Sequence, residues 1–382
     1  MDNFVVSARK YRPSEFDSVV GQQHITVTLK NAIKSGHLAQ AFLFCGPRGV
    51  GKTTCARILA KTINCEQLTE ATEPCNTCPS CTAFNNQGAL NITELDAASN
   101  NSVEDIRNLI EQVRYPPQYG KRKVYIIDEV HMLSNQAFNA FLKTLEEPPA
   151  YAIFILATTE KHKIIPTILS RCQIFDFNRI QVKDIAQQLE RIAEREAIEA
   201  EPDALHLIAQ KADGALRDAL SIFDLMVTFA QDRVLRYKNV VQNLHVLDHD
   251  YYFKLIAAFL EENRTEVILL FDEILKKGFD AQNFLQGLGD HLRNLLMCKD
   301  AATVQLLEVS DGVRTQYLEQ SQKASASFLL SGMSLVNDCE QQYKSSKHQR
   351  FSVELCLLKI THLPSAFQVR NSLEELKKKH LA

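Results

Sequence analysis

Two short stretches of the chain carry residue types suited to phosphate chemistry. The first, GPRGVGKTT (46–54), fits the pattern G-x-x-x-x-G-K-[ST] through Gly46, Gly51, Lys52 and Thr53. The apolar run AFLFC (41–45) precedes it and a helical pattern over 52–64 follows it, which is the context such a loop needs. Between Gly46 and Thr54, through Pro47, Arg48, Gly49 and Val50, the backbone can curl so that its N–H groups and the helix amino terminus face phosphate oxygens. Lys52 adds a point charge near the β and γ oxygens, and the Thr53 hydroxyl can ligate Mg²⁺. A tight strand-to-helix turn would account for the glycines alone but not for Gly-Lys-Thr, so we read a nucleoside triphosphate site. The second stretch, VYIIDEVH (124–131), is an apolar strand ending in Asp128-Glu129. Ligands of open parallel sheets sit at the carboxyl ends of the strands. There Asp128 would hold the metal, directly or through water, and Glu129 would act as general base on an attacking water. The pair could instead cap the following turn.

A third cluster is of another kind. Cys65, Cys75, Cys78 and Cys81 follow the phosphate-loop helix at C-x9-C-x2-C-x2-C spacing. Four thiolates in a short loop suit tetrahedral Zn²⁺, and with no histidine in the stretch the site would be closed, hence structural. An iron–sulfur cluster, whose bacterial run carries a further Cys-Pro that is absent here, and free thiols or disulfides are the alternatives.

The elements that must position these residues are legible as periodicities. Short apolar runs at 41–45, 91–96, 123–129, 152–159 and 173–177 alternate with helical patterns at 52–64, 103–113 and 135–147. Continuous apolar strands between helices indicate an α/β fold with a parallel sheet covered on both faces. Beyond about residue 178 strand signals disappear; patterns at 184–198, 202–212 and 215–230 form a small helical group. A further helical region opens at 251 and runs to the end, where EELKKKHLA (374–382) reads as a helix with a basic end. One face of that region could be left for a partner subunit, or it could be an ordinary bundle core. The 382 residues suffice for two or three domains, and 45% hydrophobic with 23% charged residues excludes disorder as the default. No apolar run approaches a membrane span, and the amino terminus lacks the apolar core of a secretory signal, so we expect a cytoplasmic protein whose ten cysteines stay reduced. A net charge of −3 argues against a generally basic nucleic-acid surface, leaving local patches at ARKYRP (8–13) and GKRK (120–123) that could equally be solvated charges.

In order along the chain, YRPSEFDSVVGQ, GPRGVGKT, IIDEVHML, LKTLEEPP, LATT, ILSRC and GALRDALS resemble the gamma/tau subunits of the bacterial DNA polymerase III clamp loader, a family of AAA+ ATPases. The likeness is dense over about residues 4–230; beyond, it is one of helical pattern and length. It implies a RecA-like AAA+ domain at 1–178 with a zinc-binding insertion at 65–81, a helical lid at 179–242, and an all-helical oligomerisation collar at 243–382, whose end suggests a short form of the subunit. It also implies roles for individual residues. Thr159 would be sensor 1, Arg171 an arginine finger reaching a neighbouring subunit's ATP, and Arg217 the sensor-2 arginine. Ala8, Arg12, Val20 and Leu216 would contact adenine, and the four cysteines would bind zinc. Lys143 matches a position facing DNA phosphates, although it could simply be an exposed helix lysine. Where the best-known members carry basic residues after LDAAS (95–99), this chain has Asn100 and Ser102.

The function so implied is a motor subunit. ATP binding and hydrolysis within a hetero-oligomeric, pentameric ring of clamp-loader subunits would load a sliding clamp onto primer-template DNA, held without sequence specificity, as part of the polymerase III holoenzyme. A DExH-type helicase, another AAA+ nucleic-acid ATPase, and a structural sister subunit are the alternatives. The first would need a second strand-rich domain, and the last is opposed by the intact Lys52, Thr53 and Glu129.

Overall fold

The computed structural model describes residues 5–86, 88–117, 120–230, 232–244, 247–307, 309 and 311–366. The chain divides into two compact units, Met1–Leu235 and Arg236–Ala382. Among the described residues no helix is long and apolar enough to cross a membrane.

The first unit is built on five strands, β1 (Ala41–Cys45), β2 (Ile92–Asp96), β3 (Lys123–Asp128), β4 (Ala152–Thr158) and β5 (Gln173–Asp176), all parallel in the order β2-β3-β4-β1-β5. Each coincides, within a residue or two, with an apolar run read from the sequence. In β1, β3 and β4 the runs are continuous because both faces are buried, whereas the edge strands β2 and β5 keep polar and exposed positions such as Glu94 and Gln173. Phe42, Phe44, Val124, Ile126, Ile153 and Ile155 join a core with Cys55, Ile58 and Leu59 of the helix Lys52–Asn64. The alternate residues Leu43, Tyr125, Ile127, Phe154 and Leu156 join Ile106 and Leu109 of Val103–Val113 and Phe138 and Phe141 of Asn135–Glu146. Register then sets the site: Cys45 pairs with Thr158, and Ile127 with Leu156, so β1, β3 and β4 deliver their carboxyl ends to one edge.

The lid helices Val182–Arg195, Pro202–Lys211 and Leu216–Phe229 bury Ile185, Leu189, Ile192, Leu205, Ile208 and Phe223. The expectation that strands end near residue 178 needs correction. Glu199–Ala200 and Val234–Leu235 form a parallel two-stranded ladder, each too short to show a period of two in sequence. A helix over Gln23–Ser35, closed by Gly36 in the left-handed region, was also not read from the sequence.

The second unit is helical, with long elements at His249–Leu260, Arg264–Lys276, Ala281–Met297, Asp311–Lys323, Ala326–Tyr343 and Gln349–Thr361. Phe259, Phe271, Phe284, Leu288, Leu292, Phe328 and Leu357 share its core. The helix expected at 374–382 lies outside the described residues.

Phe154, on the central strand β4, is fully buried, its ring stacked on Tyr125 at 5.4 Å and edge-on to Phe141 at 5.2 Å. Phe154→Ala should therefore lower stability by about 3–5 kcal/mol, read from urea unfolding followed by circular dichroism; a loss under about 1 kcal/mol would contradict this packing.

Candidate active site

The loop after β1 is shaped by contacts that only glycine allows. Gly46 has φ 148°, and a Cβ there would lie 2.4 Å from the carbonyl oxygen of Phe177; at Gly49, φ 77°, it would lie 2.9 Å from Ala215 Cβ at the start of the last lid helix. The close approach at Gly49 also lets the Arg217 N–H donate to the Gly49 carbonyl at 3.4 Å, seating the lid on the loop. Lys52 is buried, its Nζ donating to the carbonyls of Gly46 and Pro47, each at 2.7 Å. Burial holds its pKa below the ordinary lysine value, opposed by the carboxylates of Glu129 and Asp128. An ammonium so placed is stabilised by further negative charge, which a polyphosphate supplies.

At the start of the same helix, Thr53 Oγ1 donates to Asp128 Oδ2 at 2.6 Å. Two hard oxygen donors side by side fit Mg²⁺. Next to them Glu129 has φ 48°, in the left-handed region that a side chain seldom occupies without compensating contacts. Those contacts are visible: its N–H donates to Asp128 Oδ1 at 2.9 Å, and its Oε2 accepts from Thr159 Oγ1 at 2.9 Å and from the Thr159 N–H at 3.3 Å. Thr159 thus touches Glu129 and does not itself line the cleft. His131, the last residue of VYIIDEVH, whose DEVH string is what fits the DExH alternative, is nearly buried behind the carboxylate. Its Nδ1 lies 3.0 Å from Thr158 Oγ1 and 3.4 Å from Glu129 Oε2, and its Nε2 3.1 Å from Glu160 Oε2.

A cleft runs from this group toward the lid. Ala8, Arg12, Val20, Leu216 and Arg217 line it together with Arg48, Gly49, Val50, Gly51, Lys52, Thr53, Thr54, Asp128 and Glu129. Tyr11, Pro13, Val19, Ile180 and Leu220 line it as well, unread from the sequence although three of them are chain neighbours of residues that were. Gly46 and Pro47 act through their carbonyls on Lys52 and are not in the wall. Arg171 is also outside it: its guanidinium pairs with Glu146 at 2.5 Å and donates to the Thr167 carbonyl at 2.7 Å. Lys143 is exposed on the helix Asn135–Glu146. Asn100 and Ser102 have local work: Asn100 donates to the Asp96 carbonyl at 3.0 Å, and Ser102 forms a capping box with Asp105 at the start of Val103–Val113.

The sulfurs of Cys65, Cys75, Cys78 and Cys81 all lie within 4.8 Å of one another. Backbone N–H groups point at them: Cys75 N–H to Cys65 Sγ and Cys78 N–H to Cys75 Sγ, both at 3.3 Å, and Cys81 N–H to Cys78 Sγ at 3.4 Å. N–H donors from Thr77 and Cys78 bring the Cys75 thiol down to about 6, whereas burial pushes those of Cys65 and Cys81 up. Four sulfurs this close together are matched by a cation that takes them as thiolates, and an all-sulfur donor set of four is compatible with zinc.

Family models match the chain in three consecutive segments. They are described as DNA polymerase III, delta subunit (21–181), DNA polymerase III clamp loader subunit, ATPase lid domain (184–232), and DNA polymerase III subunits gamma and tau domain III (235–376). The chain is similar to the DNA polymerase III subunit gamma of Buchnera aphidicola subsp. Baizongia pistaciae, 34% identical over 371 residues that cover 94% of this chain and 98% of that one. It is 40% identical over 352 residues to the tau subunit of Bacillus subtilis, covering 92% of this chain and 62% of that one. Against the tau subunit of Escherichia coli K12 it is 44% identical over 283 residues, covering 74% and 44%. The chain thus spans about half the length of the tau subunits it matches and nearly all of a gamma subunit. With the phosphate loop, lid and helical third region in the order of those models, the chain belongs to the gamma/tau subunit family of bacterial DNA polymerase III.

Proposed function

We propose that this protein is an ATP-hydrolysing motor subunit of a clamp loader, coupling ATP binding and turnover to the loading of a sliding clamp on primer-template DNA. The observation that carries the reading is the convergence of Lys52, Thr53, Asp128 and a Thr159-held Glu129 at one edge of the sheet, under the lid. The loop from Gly46 to Thr54 would wrap the phosphates, with Lys52 on the β and γ oxygens. Thr53 and Asp128 would hold Mg²⁺, which neutralises charge on the same oxygens. Glu129 would accept a proton from the attacking water, and Thr159, bonded to it, would aim the carboxylate. Ala8, Arg12, Val20 and Leu216 would hold the adenine, and Arg217, as the sensor-2 arginine, would be placed by the lid helix over the bound nucleotide.

Arg171 lies outside its own cleft, as a residue serving the neighbouring subunit's ATP would; the planar, always-charged fork suits a developing γ-phosphoryl charge. That role requires an oligomer: a pentameric ring with other clamp-loader subunits, built through the helical collar. Lys143 would meet DNA phosphates, one of few contacts per subunit summed around the ring, without sequence specificity. We assign residues 1–178 to the ATPase domain, 179–242 to the lid and 243–382 to the collar, and place the protein in the bacterial cytoplasm at the replisome. The cysteines would hold structural Zn²⁺.

ATP turnover measured with partner subunits should rise only when clamp and primed DNA are both present; stimulation by single strands alone, with unwinding, would contradict the proposal. Lys52→Ala should weaken ATP binding, while Glu129→Gln should keep binding and lose at least about a hundredfold in turnover. Turnover at the parental rate in either variant would sink the assigned roles. For the cysteine centre, protein purified without chelator should contain one zinc per chain and Cys81→Ser should lower it; metal-free parental protein would remove this centre and leave the ATPase assignment standing.

A further inference from the structure

The loop between Cys65 and Cys75 carries a buried carboxylate that the chemistry above does not use. Glu73 is only 5% exposed, yet three donors converge on it. Oε2 accepts the Phe16 N–H at 2.8 Å, Oε1 the Asp17 N–H at 3.0 Å, and Lys30 Nζ lies 2.7 Å from Oε1. Within its own loop, the Glu73 N–H donates to Thr69 Oγ1 at 3.0 Å. Asn76 adds a second grip, donating to Glu15 Oε1 at 2.9 Å, while Lys61 of the phosphate-loop helix donates to Asn76 Oδ1 and, at 2.8 Å, to Asn85 Oδ1.

The segment held in this way, by the backbone of Phe16 and Asp17 and the side chain of Glu15, lies between the residues that wall the base end of the cleft: Arg12 and Pro13 before it, Val19 and Val20 after it. The same segment is tied to the lid upstream, where the Ser7 N–H donates to Asp224 Oδ2 at 2.7 Å. Downstream, Gln22 Nε2 donates to the Asn178 carbonyl at 2.7 Å. Glu73 is the anchor between those ends. A buried carboxylate with two backbone N–H donors and an ammonium is a fixed point, because leaving either side unpaired is costly.

We propose that Glu73 is a positioning residue for the base end of the nucleotide site, and that the cysteine centre serves the ATPase by holding Glu73 against the amino-terminal segment. The inference rests on the nucleotide reading above. Metal in the centre fixes the two ends of the loop that presents Glu73, so loss of the metal and loss of the carboxylate act on the same wall of the cleft and leave the phosphate loop in place.

The test compares affinities of the full chain for ATP and for inorganic tripolyphosphate, which engages the phosphate loop and not the base wall. Glu73→Gln, and Glu73→Asp as a variant that keeps the charge and shortens the reach, should bind ATP about tenfold and about threefold more weakly respectively. Both should bind tripolyphosphate within about twofold of the parent and keep the parental metal content. Chelating the metal from the parental protein should give the pattern of Glu73→Gln. Parental ATP affinity in both variants, or a parallel fall for ATP and tripolyphosphate, would overturn the inference. Failure of the parental protein to bind ATP would overturn the nucleotide reading and this inference with it.

Discussion

A 2.6 Å hydrogen bond from Thr53 to Asp128 joins positions 75 residues apart, and most of the first unit is arranged so that it can form. Thr53 is placed by the helix that leaves β1, and Asp128 by the end of β3; β4 lies between those strands. A slip of one residue between β3 and β4 would turn Asp128 to the other face of the sheet, and one between β1 and β4 would shift the helix start that carries Thr53. With both faces buried, the slip would send Phe44, Ile126 and Ile155 into the opposite core and their neighbours Leu43, Ile127 and Leu156 into theirs, and the close-packed shapes of the two cores oppose that exchange. Register is thus held by the packing of the three inner strands, and the site inherits its precision from it.

Around that bond the polar groups are arranged by constraint more than by abundance. Lys52 is buried among carbonyls, and Glu129 keeps a left-handed backbone while Thr159 holds its carboxylate. These are arrangements that an apolar core can support but would not choose, and they gather at the edge where the strands end. The overall charge of −3 is no guide to this site, because the charge that matters is local and faces inward.

The parallel sheet was legible because strands buried on both faces write themselves as unbroken apolar runs, and the phosphate loop because Gly-Lys-Thr has no purely structural reason. The cysteines announced themselves by spacing. Other features left no such trace. The ladder of Glu199–Ala200 with Val234–Leu235 is too short to have a period. Tyr11, Pro13, Val19, Ile180 and Leu220 come to the cleft from segments far apart in the chain that only tertiary packing brings together. Glu73 reads in sequence as one more surface acid; what marks it is burial against Phe16 and Asp17, a contact across 57 and 56 residues. His131 was visible in the DEVH string, but its place behind Glu129 depends on the turn that follows β3.

The central claim is that the phosphate loop and the end of β3 work as one metal-dependent unit. The most direct measurement is ATP affinity with and without Mg²⁺ for the parental protein, Thr53→Val, Asp128→Asn and the double variant. The account predicts that Mg²⁺ tightens binding at least about tenfold in the parent, that either single change removes most of that gain, and that the double variant loses little more. Retention of the full Mg²⁺ response in both single variants, or losses that simply add, would contradict it.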